Sequence, residues 1–106
     1  MNITRWLLLA SMTAAASFAQ ADVTPGETKA RTCAVCHGPL GISTAPDTPN
    51  LAGQPERYLS EQLKAYRSGK RIHEVMSLMA KPLSDDDIAN LAAWFASIKV
   101  EAVAPR

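Results

Sequence analysis

Cysteine is scarce in this chain. Only two occur among 106 residues, Cys33 and Cys36, which excludes a multiply cross-linked mini-protein. Histidine is as scarce, at His37 and His73. A structural zinc site wants four ligands, so it would need all four of these residues, with adjacent Cys36 and His37 converging on one small ion. Neither sign of charge is in excess: eleven basic residues face ten acidic ones. Without a basic stripe and interleaved aromatics, nucleic-acid binding has no support, and steering by net charge is weak. Period-two alternation of apolar and polar residues is missing, which argues against strands. A thioredoxin-like dithiol, which sits at a strand-to-helix turn, therefore loses its scaffold. Long apolar runs are missing too. The longest, WLLLASMTAAASF, is short for a membrane span, and 20% charged residues are too many for a membrane bundle.

What is present begins with that run. It follows a short basic start, MNITR, and precedes two small-x-small sites, Ser17-Phe18-Ala19 and Ala19-Gln20-Ala21. This is the layout of an export signal over residues 1–21, cut after Ala21, with Ala19 as the alternative site and a retained anchor as the alternative fate. Residues 22–106 then form a single domain, and loss of Arg5 leaves its charges balanced. A domain this small is marginal alone and calls for a crosslink, metal or covalent group as support.

The pattern predicts an all-α domain with three main helices and a short one. The first helix is expected over 24–35, capped by Thr24, with Pro25 at its first position and Glu27 in its first turn. Gly26 lies inside it, where glycine costs stability and implies a packing reason. Three glycines and three prolines punctuate GPLGISTAPDTPNLAGQ, so 38–54 is a loop, long enough to need a ligand to wrap around. A second helix over Pro55–Ser68 aligns Tyr58, Leu59, Gln62, Leu63 and Tyr66 on one face, and Gly69 suits its end. A short helix is expected over Val75–Met79, stopping before Pro82. The last helix opens on Ser84 and Asp87, a capping box with Asp in place of Glu or Gln. Ile88, Leu91, Ala92, Phe95 and Ile98 form its apolar stripe, with Trp94 to one side and Lys99 near its end.

Both cysteines and one histidine fall in residues 33–38, CAVCHG. A disulfide between Cys33 and Cys36 would close a very small loop and leave His37 unexplained. C-x-x-C-H is the attachment pattern of c-type haem. The two thiols become thioethers on the two vinyl groups, and the next residue delivers its imidazole to the iron. An exported, helical chain suits this reading. The second axial position is filled by Met76, Met79 or His73, or by no protein ligand, and spacing alone does not choose between the methionines.

Four features stand in order at fixed spacing: Gly26 seven residues before Cys33, CAVCHG, APDTPNLAGQPERYLSEQLKAYRSGKR, and MSLMAKPLSDDDIANLAAWFASI. Together they resemble a class I cytochrome c, of the short bacterial periplasmic monohaem branch whose two-haem relatives carry two such domains in tandem. The resemblance covers residues 24 to 99. It implies one covalently bound haem c held by Cys33 and Cys36, with His37 and Met76 on the iron. Met76 is implied because it stands seven residues before the leucine of the Leu83-Ser84 pair, which leaves Met79 as its apolar neighbour. It implies that the Pro49 carbonyl accepts from the proximal imidazole. It implies that Gly26 marks a helix crossing against Trp94 or Phe95, and that Tyr58, Gln62 and Leu63 serve the haem pocket or helix packing. Arg71 is implied as a propionate partner, with a solvated surface arginine as the other reading. His73 is left on the surface with no axial role. The chain departs from many relatives at GPLGISTAP, a loop bordering the exposed haem edge, which puts partner contacts in doubt.

The function so implied is periplasmic one-electron transfer, not catalysis. With both axial positions filled, no small-molecule substrate reaches the iron, and a thioether ligand favours Fe(II). The implied partners are periplasmic or membrane-bound redox proteins, met as a monomer or weak dimer. One alternative is a haem subunit held permanently in a periplasmic redox enzyme complex. Another is a haem-based sensor or ligand-binding protein.

Overall fold

The computed structural model describes residues 23–106; the expected leader and both its cleavage sites lie outside the described residues. The fold is α-helical: α1 Thr24–Ala30, α2 Ala34–His37, α3 Glu56–Ser68, α4 Met76–Ala80 and α5 Asp85–Ser97. Among the described residues there is no strand and no helix long and apolar enough to cross a membrane.

The expected first helix is broken in two. Its cap is Val23, with no side-chain hydrogen bond, and Thr24 is already helical. After Ala30 the hydrogen bonding tightens: the Arg31 amide donates to the Thr28 carbonyl at 3.4 Å and the Cys33 amide to the Ala30 carbonyl at 2.9 Å. These three-residue spacings end α1 while keeping the chain helical in direction, so the cysteines fall on a short helix of their own. There are therefore two short helices where one was expected. The other boundaries move by a residue or two: Pro55 is the cap of α3, α4 begins at Met76, and α5 ends at Ser97, short of Lys99.

The start of α5 is the most firmly specified point. Ser84 and Asp87 form the expected capping box, with the Asp87 amide 3.0 Å from Ser84 Oγ and the Ser84 amide 3.0 Å from Asp87 Oδ2. Two neighbours tie in here. Lys29 of α1 pairs with Asp87 at 3.3 Å. Arg67 of α3 pairs with Asp85 at 2.6 Å and also donates to the Leu83 carbonyl at 3.0 Å. Arg67 holds the Asp85 carboxyl below the usual range by its hydrogen bond and charge, and the Ser84 amide does the same for Asp87.

From this start α5 runs through the middle of the domain, packed on α1 and α3, while α4 rests on α3. Ile88, Leu91, Ala92 and Phe95 are buried as the stripe predicts, with Ile98 half-buried; Ala30, Ala52, Leu59 and Ala80 are buried too, and half-buried Leu63 packs on the core. The α1–α5 crossing is very tight. A Cβ on Gly26 would lie 2.0 Å from the Asn90 carbonyl oxygen and 2.7 Å from Trp94 Cβ. Of the two aromatics proposed for this crossing, the structure selects Trp94. Phe95 faces elsewhere, toward Gly41.

Candidate haem site

The site is assembled around α2. Cys33 caps this helix and Cys36 is its third residue, so the thiols stand one helical turn apart. Both are free; Cys33 is half-buried and Cys36 exposed. Burial, followed by the neighbouring Cys36, pushes the Cys33 thiol up from its ordinary value. A redox dithiol needs the opposite shift in its attacking cysteine. The arrangement instead offers two free thiols on one turn.

His37 ends the turn and is 7% exposed. Its amide donates to the Cys33 carbonyl at 2.9 Å, so the ring is placed by the same turn that places the thiols. Gly38 then turns the chain away at φ 85°, where any Cβ would meet the Ile42 carbonyl oxygen at 2.0 Å. The loop that follows is closed by one atom. The Gly41 carbonyl accepts from Leu51 at 2.7 Å and Ala52 at 3.1 Å, and the Gly53 amide reaches the Phe95 carbonyl at 2.9 Å. Ser43 Oγ donates to the Cys36 carbonyl at 3.1 Å, and the Ser43 amide reaches Asn50 Oδ1 at 2.7 Å. This closure sets Pro49 beside the imidazole: His37 Nδ1 donates to the Pro49 carbonyl at 2.8 Å. The bond fixes the ring and its tautomer and leaves the Nε2 lone pair for a metal. The expected Pro49 contact is thus present, and the loop wraps the ring itself.

The other residues expected at the site lie between 58 and 80. Met76 is half-buried at the start of α4, whereas Met79 is 39% exposed and not a core residue. Arg71 is neither free nor simply solvated. It donates to Gln62 Oε1 at 2.7 Å and lies over the Tyr66 ring at 4.7 Å from the centroid. Tyr58, expected on the apolar face, is 47% exposed. His73 is exposed as expected, but its Nδ1 lies 3.2 Å from the amides of both Val75 and Met76. Sequence reasoning missed that contact, and it missed Gly41, whose added Cβ would meet the Ala52 amide at 2.8 Å and the Phe95 ring at 2.9 Å. Its only signal was a glycine in a loop already rich in them.

The donor set decides what the site suits. No group of three or more histidine, cysteine or carboxylate side chains that could hold a metal ion occurs among the described residues. Two open grooves, one beside Trp94 and one on the polar face of α3, are lined by none of Cys33, Cys36, His37 and Met76. One oriented imidazole and two thiols on a turn do not make a cage for a bare ion. They fit a haem, which brings four iron ligands of its own. Fold and donors together define a small α-helical haem-attachment domain.

Comparison with known proteins gives the family. The model of the cytochrome c family matches residues 23–99, and the chain belongs to that family. It is 46% identical over 82 residues to cytochrome c4 of Pseudomonas aeruginosa, which covers 77% of this chain and 41% of that protein. It is 47% identical over 79 residues to cytochrome c-554(548) of Halomonas halodenitrificans, covering 72% of this chain and 95% of the relative. It is 43% identical over 72 residues to a thiosulfate dehydrogenase electron acceptor of Thiomonas intermedia, covering 67% of this chain and 33% of the relative. Among solved structures, reduced recombinant cytochrome c4 from Pseudomonas stutzeri superposes with a TM-score of 0.70 at 40% identity, over 76% of this chain and 47% of that one. The chain thus spans about half the length of the cytochrome c4 chains it matches and nearly all of cytochrome c-554(548). Membership makes it a class I cytochrome c domain, a carrier of covalently bound haem c.

Proposed function

We propose that this chain is a one-electron carrier of the periplasm holding a single haem c. The observation that carries the reading is the buried His37 ring, held to Pro49 at 2.8 Å on the same turn as two free thiols, within a cytochrome c fold. Cys33 and Cys36 attach the haem. They would hold it as thioethers, each S–H being consumed by addition across a vinyl C=C, sulfur to one carbon and hydrogen to the other. His37 and Met76 would hold the iron, and Arg71, already fixed by Gln62 and Tyr66, would serve a propionate. The haem supplies a reversible Fe(III)/Fe(II) couple when bound. The chain's own contribution is to fix both ligands and exclude water, so little rearranges when the electron moves. The export signal over 1–21 supports the compartment. Redox proteins of that compartment are the partners, and the single C-x-x-C-H motif supports one haem.

A specific finding favours a second reading. The likeness to a thiosulfate dehydrogenase electron acceptor supports a haem subunit held by an oxidoreductase. Purification from the native host separates the two. A carrier elutes alone, and a subunit copurifies with its enzyme at a fixed ratio. The common core of both readings is tested by intact mass. Protein from a haem-competent periplasm should exceed its processed polypeptide by one haem, and the colour should survive acid-acetone extraction. An unmodified mass there refutes both.

A further inference from the structure

We propose that His73 is a positioning residue for Met76, fixing the first turn of α4 through its imidazole Nδ1. This rests on Met76 being the axial ligand. Nδ1 lies 3.2 Å from the amide nitrogen of Val75 and 3.2 Å from that of Met76. With two donors aimed at it, Nδ1 carries the lone pair and the ring proton sits on Nε2. The first amides of any helix lack carbonyl partners within it. The cap residue of α4, Val75, has no side chain that can supply one. The imidazole two residues before the cap takes the place usually held by a serine or aspartate oxygen.

The contact is reciprocal. Ser77 Oγ accepts from the His73 amide at 3.0 Å, and the Ser77 amide donates to the His73 carbonyl at 2.9 Å. Residues 73 to 77 are thus closed from both ends. The imidazole is itself anchored, its ring meeting Tyr66 edge-on at 6.5 Å between centroids and 73° between planes. Tyr66 belongs to α3, and the Arg71 amide donates to the Ala65 carbonyl of the same helix at 3.0 Å. A line of fixed contacts therefore runs from α3 through His73 to the backbone amide of Met76. A helix of five residues cannot hold its own shape, so this external cap sets where the methionine stands.

The test uses the haem-loaded protein. His73→Phe keeps an aromatic ring against Tyr66 and removes the acceptor. His73→Asn keeps a short acceptor and removes the ring. Met76→Ala shows what loss of the ligand looks like. Three quantities are read: affinity of the ferric protein for added imidazole, the sulfur-to-iron charge-transfer band, and hydrogen exchange of the Val75 and Met76 amides. His73→Phe should raise imidazole affinity about tenfold, the factor set by roughly one net hydrogen bond, and speed exchange at both amides. His73→Asn should return both toward wild type. Wild-type imidazole affinity in His73→Phe overturns the proposal, even if global stability falls, because a cap that matters only to stability would behave so. His73→Asn behaving like His73→Phe also overturns it, since an acceptor is then not what counts. A band that survives Met76→Ala overturns the ligand assignment and this inference with it. A band lost in Met76→Ala, with the His73 variants unchanged, overturns the positioning role alone.

Discussion

Gly26→Ala sets two ordinary effects against each other. Gly26 lies in the first turn of α1, where alanine is the better helix former by about 0.8–1.0 kcal/mol. On propensity alone the variant should be more stable. The packing says otherwise. The new Cβ would sit 2.0 Å from the Asn90 carbonyl oxygen and 2.7 Å from Trp94 Cβ, and neither atom belongs to the free end of a flexible side chain. Relief requires α1 and α5 to part by about 1 Å, which opens the gap that dispersion contacts tolerate least. Overpacking of a tight core costs about 1–3 kcal/mol, and a rigid backbone neighbour puts this site at the upper end. The clash therefore wins by about 2 kcal/mol. That is a large share of the stability of a domain this small, of order 5–10 kcal/mol. Gly26→Val should be worse, because it adds branching at the same point. The assay is guanidinium unfolding of the haem-loaded ferric protein, where the midpoint should fall at constant m-value. Gly69→Ala is the control. It has φ 83° and nothing within 4 Å of its Cβ, so its cost is backbone strain alone, about 1–2 kcal/mol. If Gly26→Ala is as stable as wild type, propensity has outweighed the crossing and the packing argument is wrong.

Legibility in the sequence followed the range of the interactions. The capping box, the stripe of α5 and the glycine ending α3 are written in residues three or four apart, and the structure keeps each of them. The break after Ala30 was not legible. Nothing local in KARTCAV stops a helix, yet the chain changes there to three-residue hydrogen bonds. The choice of Trp94 over Phe95 was likewise a question of rotation between two helices, which neither helix encodes by itself. At the site, the motif legible in CAVCHG gave the chemistry. The carbonyl of Pro49 came only from family resemblance, because a hydrogen bond spanning twelve residues has no sequence signal. His73 was read as a surface residue, and by exposure it is one. Its role lies in a lone pair, which exposure does not report.

Four further perturbations probe the expected ligands, the frame and the loop. Met76→Ala should retain covalent haem, lose the sulfur-to-iron band and lower the midpoint potential, because the soft donor favouring Fe(II) is gone. Met79→Ala should keep the band and, at 39% exposure, cost less than the ~2–5 kcal/mol of a buried truncation; the reverse pattern would move the ligand to Met79. Asp85 and Asp87 are held below the ordinary carboxylate range in the fold, so their contribution is complete above the unfolded value of about 3.9 and is lost as pH falls through the folded values. The melting temperature should drop on acidification below about pH 4, and less steeply when both are Asn; an unchanged slope refutes the assignment. The last concerns Gly41. Its carbonyl closes the loop by taking the Leu51 and Ala52 amides, and that closure is what brings the Pro49 carbonyl to His37. Gly41→Ala combines strain at φ 73° with a clash against the Phe95 ring. Gly41→Asn tolerates the dihedral better but keeps the clash, so the pair separates the two causes. Either way the loop must move and the His37–Pro49 bond lengthens. An imidazole without that acceptor is a weaker donor and stabilises Fe(III) less, so the potential should rise, opposite in sign to Met76→Ala. Potentiometric titration reads the sign, and NMR of the His37 Nδ1 proton reads the bond. A lengthened bond with a lowered potential would break the link between loop closure and iron electronics.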